Sequence, residues 1–360
     1  MTGTDRNYRA FLLPVFSANP YVRELSGALH RVGVQIVLPD DGQRLETATA
    51  SARAGDVVHI QWVHPFFAKG TRLQVWRNAR RFLASIVDLK RRGVAVVWTI
   101  HNLSDHDGRA VRTQRRVGRR LALVSDRVLV HSPTGQALAR RHFRLPARVR
   151  FEVVRHGSYR GVYPDDGDDA TARAAMGYTE GEVIFGLIGS LRAYKGVDRL
   201  IEHFRRLPDA HARLLLAGGC GGSANEQAIR SLCDGDDRIR FLPGFVEDER
   251  LHTLHRACDA IVVPYRSGFT SGAIVLAQAF DRAVIAPVHG CFEDQVGDGG
   301  WVYDPADPQQ PAGVMREVLT DPSEAIRRGR RAGVDDVEWT WDRMASNIRA
   351  VYDSVRRSCP

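Results

Sequence analysis

Apolar residues in this chain fall into short unbroken runs separated by stretches of helical spacing, and the alternation occurs twice. In the first part, residues 8–14, 34–38, 56–62, 94–100, 128–131 and 149–154 read as strands. Runs this short and continuous fit strands covered on both faces, as in a parallel sheet. Helical patterns lie between them: from Pro20 to His30, over 71–92, through the basic run 109–120, and from about Thr134. Residues 156–182 read as a joint, with His156-Gly157, Pro164 and an acidic, glycine-containing passage of no clear period. Strands are then predicted at 183–188, 213–217, 239–242, 260–263 and 283–286. Trp341, Met344, Ile348, Val351 and Tyr352 mark a last amphipathic helix. The pattern predicts an α/β protein of two Rossmann-like, doubly wound parallel-sheet domains, 1–160 and 161–340. Ligands are expected at the carboxyl ends of the strands, in a cleft between the domains.

Residues 183–196, Val-Ile-Phe-Gly-Leu-Ile-Gly-Ser-Leu-Arg-Ala-Tyr-Lys-Gly, organise the second domain. The apolar run breaks at Gly189, two cations follow at Arg192 and Lys195, and the chain restarts at Gly196. Val197, Leu200, Ile201, Phe204 and Leu207 then form a helical stripe. A strand, a short cationic loop and a new helix N-terminus suit an anion such as phosphate, because the first helical N–H groups lack partners and the dipole is positive there. An ordinary strand-turn-helix with exposed basic residues fits the same letters.

Composition narrows the setting. The chain has 360 residues, 44% apolar and 26% charged, which suits a soluble protein of two cores rather than one. No apolar run approaches the ~20 residues of a membrane-spanning helix, and the opening residues lack a secretory apolar core. Five cysteines without metal-type spacing fit free thiols in a cytoplasmic protein. The net charge of +9 is unevenly placed: residues 1–160 hold 28 Lys+Arg against 11 Asp+Glu, or +17, and the remainder 23 against 31, or −8. The basic part suggests an anionic surface or polymer as partner, although solvated helix faces also carry such residues. Interleaved aromatics and a helix-turn-helix signature are missing, which disfavours nucleic acid. No Gly-x-Gly-x-x-Gly follows the first strand, which disfavours a nicotinamide dehydrogenase.

Several segments in order resemble the retaining glycosyltransferases of family 4. They are Gly189-Ser190-Leu191-Arg192-Ala193-Tyr194-Lys195-Gly196, the 214–219 strand ending in Gly218 and Gly219, segments 241–246, 261–271 and 283–286, and Gly290 with Gly300-Trp301-Val302-Tyr303. Asn19-Pro20-Tyr21, Val57-Val58-His59-Ile60-Gln61-Trp62 and Trp98-Thr99-Ile100-His101-Asn102 resemble a bacterial branch that acts on lipid-linked sugars. The resemblance implies a GT-B fold, with an acceptor domain rejoined by the last helix (341–360) and a nucleotide-sugar domain. It implies hexose transfer with retention, from a UDP- or GDP-sugar to a glycan or lipid-linked acceptor in surface polysaccharide assembly. Neither a metal nor a cofactor is implied. The enzyme is expected in the cytoplasm, with possible peripheral contact at the inner face of an anionic membrane.

By family position, Lys195 with Arg192 meets the charge that grows on the departing phosphate, and His101 contacts the transferred sugar or acceptor hydroxyl. Gly189, Ser190, Gly196, Gly218, Gly219 and Phe245 belong to the donor site, as do Thr270, Ser271 and Gly272 at a helix start. Asn19 lies where the family brings backbone near the donor, and can equally just cap its helix. Strand-end capping is likewise a sufficient role for His101. Asp105, His106 and Asp107 are further acceptor-side candidates. His59 and His64 flank a strand end without metal-ligand spacing. The chain departs from the family in two places. Ser190 stands where Arg is commoner, and the usual glutamate pair is replaced near Gly268 and Leu276. An epimerase or phosphorylase on this fold, or a basic nucleic-acid binder, are the competing readings.

Overall fold

The protein is described from a computed structural model, which covers residues 8–16, 19–104, 110–208 and 210–356. The candidates Asp105, His106 and Asp107 lie outside the described residues. The chain divides into two compact units: Met1–Gly157 with Trp339–Pro360, and Ser158–Glu338.

The first unit holds strands β1 (Arg9–Leu13), β2 (Gln35–Val37), β3 (Val57–Ile60), β4 (Ala95–Thr99), β5 (Arg127–Val130) and β6 (Phe151–Val153). Its first helices are α1 (Pro20–Arg31), α2 (Leu45–Ala48), α3 (Arg72–Arg91), α4 (Val111–Val124) and α5 (Pro133–Phe143). All strand pairs are parallel and the order is β2-β1-β3-β4-β5-β6. β3 and β4 are buried throughout, as continuous apolar runs in a parallel sheet require.

The second unit holds β7 (Val183–Ile188), β8 (Ala212–Gly218), β9 (Ile239–Pro243), β10 (Ala260–Val262), β11 (Ala283–Pro287) and β12 (Gly300–Tyr303). Its helices are α6 (Asp169–Ala175), α7 (Val197–Arg205), α8 (Ser223–Cys233), α9 (Leu251–Arg256), α10 (Gly272–Ala279), α11 (Phe292–Val296), α12 (Gln310–Thr320) and α13 (Pro322–Glu338). Its order is β12-β11-β10-β7-β8-β9, again parallel. Helix α14 (Trp341–Arg356) groups with the first unit, where it packs on α1 and buries Trp341, Met344, Ile348, Val351 and Tyr352.

Two segments differ from the sequence pattern. The aperiodic joint contains α6, capped by the Asp168 side chain, which accepts from Thr171 N–H at 2.7 Å; one short capped helix leaves little periodic signal. In the cationic loop, a 3-10 turn at Ala193–Lys195 precedes the helix, so α7 begins only at Val197. The predicted stripe is otherwise as expected: Val197, Leu200, Ile201 and Phe204 are buried on α7, and Leu207 is buried just beyond it.

Candidate active site

In the second unit the strands end in backbone rather than side chains. β7 and β8 run side by side, and Gly189 N–H donates to Ala217 O while Leu191 N–H donates to Gly219 O. A Cβ at Gly218 would stand 1.6 Å from Gly189 O, and Gly218 has φ +146°, so no other residue fits. Gly196 is held by the same logic: φ is +72° and a Cβ would meet Pro264 O at 2.2 Å. These contacts gather the carboxyl ends of β7, β8 and β10 into one rim. Asn225 braces it, its side-chain amide donating to Leu191 O and Cys220 O, both at 2.8 Å.

Lys195 is the half-buried cation of this rim. Its ammonium donates to Tyr265 Oη, and Nζ lies 3.7 Å from the Tyr265 ring centroid and 5.4 Å from that of Tyr194. Burial, and to a smaller degree the charge of Arg192, bring its pKa down to about 8. The ammonium therefore keeps its proton at neutral pH but is poorly solvated, and an anion would restore what burial removes. Tyr265 is neutral because burial raises its hydroxyl to about 12, and Ser271 Oγ donates to it at 3.5 Å. Tyr265 thus links the cationic loop to the start of α10, a role the sequence pattern did not single out. Its signal was local: it follows the apolar run of β10 directly, where strand-end residues face ligands.

The other donor-side candidates are placed as follows. Arg192 and Ser190 are exposed, and a Cβ at Gly221 would lie 3.5 Å from the Arg192 stem. Phe245 stands 78% exposed just past the end of β9, available for stacking. Ser271 is the N-cap of α10, next to Thr270 and Gly272, yet its own N–H is taken by Gln295 Oε1 at 2.9 Å and its carbonyl accepts from Gln295 Nε2 at 3.2 Å. That turn offers hydroxyls more readily than the Ser271 N–H. Asp198 sits in the first turn of α7 and pairs with Arg266, which neutralises an acid that would otherwise oppose an incoming anion.

The missing glutamates have a structural counterpart. A Cβ at Gly268 would lie 2.5 Å from Cζ of Phe292, a ring that is wholly buried. Gly290 in turn has φ +54°, and its Cβ position is 2.6 Å from Gly268 O and from Phe269 backbone. The turn is built around an aromatic ring in the space that a side chain at 268 needs. Leu276, the other aligned position, is half-buried on α10.

In the first unit the strand ends carry histidines. His101 follows β4 and His131 follows β5. His131 Nδ1 donates to Val154 O at 2.8 Å, its Nε2 is 3.3 Å from His101 Nδ1, and His101 Nε2 is 2.9 Å from the Gln61 amide. Burial holds His101 well below the usual histidine range and brings His131 down to about 4 and His156 to about 3, so all three are neutral. Hydrogen counting then fixes the chain. His131 carries its proton on Nδ1, so its Nε2 accepts from His101 Nδ1–H and leaves His101 Nε2 as an acceptor. Gln61 Oε1 faces that nitrogen and Gln61 Nε2 is buried without a partner, so exchanging the two ends of the amide, which have nearly the same shape, lets the NH₂ group donate to His101 Nε2. Trp62 stacks on His101 at 4.6 Å and Tyr21 meets it edge-on at 4.7 Å. His101 is therefore held on both nitrogens by protein, through His131, a residue that sequence reasoning passed over. The signal was a histidine directly after Val-Leu-Val, the same pattern as His101 after Trp-Thr-Ile.

Two candidates have plain structural roles here. Asn19 caps α1, its side chain accepting from Tyr21 N–H at 3.0 Å. His59 is a core residue between Tyr352 Oη at 2.6 Å and Thr99 Oγ1 at 2.7 Å. Among the described residues no group of three or more His, Cys, Asp or Glu could hold a metal ion.

Residues 168–333 match the family model for glycosyl transferases group 1. Over 297 residues the chain is 27% identical to a GDP-mannose:glycolipid 4-β-D-mannosyltransferase of Xanthomonas campestris pv. campestris, covering 81% of this chain and 76% of the relative. Among solved structures it resembles sucrose-phosphate synthase from Thermosynechococcus elongatus, with a TM-score of 0.76, 20% identity and coverage of 98% of this chain and 100% of the other. It also resembles the Anabaena protein HepE in complex with UDP and glucose, with a TM-score of 0.72, 15% identity and coverage of 96% and 99%. Residues 168–333 are thus a glycosyl transferases group 1 domain, and the chain is a glycosyltransferase of the GT-B fold.

Proposed function

We propose that the chain transfers mannose from GDP-mannose to a lipid-linked saccharide. The observation that carries the donor and acceptor is the similarity to the Xanthomonas glycolipid mannosyltransferase, which extends over both units. The chemistry rests on Lys195. As the glycosidic bond breaks, charge grows on the departing diphosphate, and a poorly solvated ammonium at that point stabilises the transition state more than the ground state. Arg192 supplies a second, exposed cation, Gly189, Gly196, Gly218 and Gly219 let backbone approach the phosphates, and Phe245 stacks on the base. No metal takes part in this reading, so chelator should leave activity unchanged.

The test is a panel of GDP- and UDP-sugars offered with a glycolipid acceptor. GDP-mannose should give labelled glycolipid and, by mass action, raise the melting temperature most. Transfer only from UDP-hexoses would replace the donor. Conversion of donor without acceptor would instead indicate an epimerase. Product stereochemistry is read separately from the anomeric C–H coupling. An α-mannoside from the α-linked donor means retention, as the family 4 resemblance implies. A β-mannoside means inversion, and would join Gly268 and Leu276 as a departure from that family.

A further inference from the structure

Helices α3 and α4 pack against each other in the first unit, and their outward surface is both apolar and strongly cationic. Leu73, Trp76, Arg77, Arg80, Val87 and Arg91 recur at helical spacing along α3 and are all exposed, Leu73 by 63% and Trp76 by 51%. The Arg80 guanidinium sits 4.7 Å from the Trp76 ring centroid. Between the helices runs a groove of about 580 Å³ walled by Leu83, Val87, Leu123 and Val124, with Arg116, Arg119 and Arg120 in its lining.

The charge on this face is largely unopposed. α3 carries six Lys and Arg and α4 five, against one acid, Asp88. Arg81 reaches Glu46 and Lys90 reaches Asp126. Among the described residues Arg77, Arg80, Arg112, Arg116 and Arg120 form no ion pair, although Arg112, Arg116 and Arg120 are spaced to repel one another along α4. Such a face has its lowest free energy with anions on it. A nucleic acid would satisfy the arginines and leave Leu73, Val87 and the leucine-lined groove in water. The interface of an anionic bilayer satisfies both.

We infer that the α3–α4 face seats this enzyme on an anionic lipid surface. Trp76 and Leu73 enter the headgroup boundary, the arginines meet lipid phosphates, and the groove accommodates apolar chain. The inference deepens the proposed function, since a glycolipid acceptor resides in such a surface, but its test does not depend on catalysis. The full chain is cosedimented with phosphatidylglycerol-rich and with phosphatidylcholine vesicles at low and high salt. Binding should favour the anionic vesicles and fall with salt. Double reversal Arg116→Glu/Arg120→Glu should lower partitioning at least about tenfold. Brominated lipid should quench tryptophan emission, and Trp76→Phe should lose most of that quenching. Equal binding to both vesicle types, unchanged partitioning of the double variant, or tighter binding to a mixed-sequence oligonucleotide than to anionic vesicles would overturn the inference. Salt dependence of the unmodified chain answers the question even if a variant fails to fold. Vesicle binding without mannosyl transfer would sink the proposed function alone; transfer to a water-soluble acceptor without vesicle binding would sink this inference alone.

Discussion

In the first unit, β4 and β5 end in histidines that are buried, neutral and bonded to one another; in the second, β7 and β8 end in glycines that bring two backbone loops almost into contact. Both sheets are six-stranded and parallel, so the same scaffold position is used in two ways. The histidine side is self-satisfied: each ring nitrogen of His101 and His131 has a protein neighbour. The glycine side keeps one half-buried ammonium against tyrosines, which are weak substitutes for an anion. A unit whose polar groups satisfy one another orders a surface, whereas a cation short of counter-charge favours an anion beside it, which is the physical basis of the proposed donor site. Charge follows the same division: Met1–Gly157 with Trp339–Pro360 carries 31 Lys+Arg against 13 Asp+Glu, or +18, and Ser158–Glu338 carries 20 against 29, or −9.

Acid should separate the two most strongly. The histidine pKa values fall from folding, with His59 and His156 at about 3 and His131 at about 4. The unfolded chain therefore binds more protons between those values and about 6.5, so stability is complete above pH ~6.5 and is lost progressively toward pH ~4. Each unit of depression corresponds to about 1.4 kcal/mol. Among the described residues of the second unit only His255 is a fully buried histidine of this kind, at about 4, although burial also lowers the less buried His203 and His289. Five of the six tryptophans (Trp62, Trp76, Trp98, Trp339 and Trp341) belong to the first unit, so tryptophan emission reports on it. Its melting temperature should drop steeply below pH 6.5; a flat profile down to pH ~4.5 would contradict the assignment of neutral buried histidines.

Next in size is Lys195→Ala. With the fold intact, turnover should fall by ~10²–10³, about 3–4 kcal/mol, measured as initial rates of transfer. Gly218→Ala should cost about 2–3 kcal/mol in chemical unfolding, since its Cβ collides with the Gly189 carbonyl at a left-handed φ. Nucleotide binding should weaken with it. The smallest effect is expected of Gly268→Glu, which places a carboxylate where the family 4 resemblance implies one. Because the Phe292 ring fills the space, stability should fall by about 1–3 kcal/mol and turnover should not rise. A gain in turnover would show that the glutamate site survives beneath the aromatic ring.

Much of this comparison could be read before any coordinates. The apolar runs at β4 and β7 marked sheets covered on both sides, and Gly189, Lys195 and Gly196 marked the turn from β7 to α7 with a cation in it. The contacts of single atoms could not be read. Nothing in the order of residues says that Phe292 occupies the space beside Gly268, because the two are brought together only by packing across a turn. Tyr265 and His131 escaped for the same reason: their partners are 70 and 30 residues away in sequence. The α6 helix was lost in an acidic passage too short to show a period, and its Asp168 cap was legible only once the helix was known.

The central claim is that a diphosphate is met by Lys195 on the rim of the second sheet. The most direct measurement is calorimetric titration of GDP and GMP into the unmodified chain and into Lys195→Ala. GDP should bind the unmodified chain at least about tenfold more tightly than GMP, the worth of one charge-assisted contact to the second phosphate, and the substitution should erase most of that advantage. Equal affinity for GDP and GMP, or an advantage that survives in Lys195→Ala, would contradict the account.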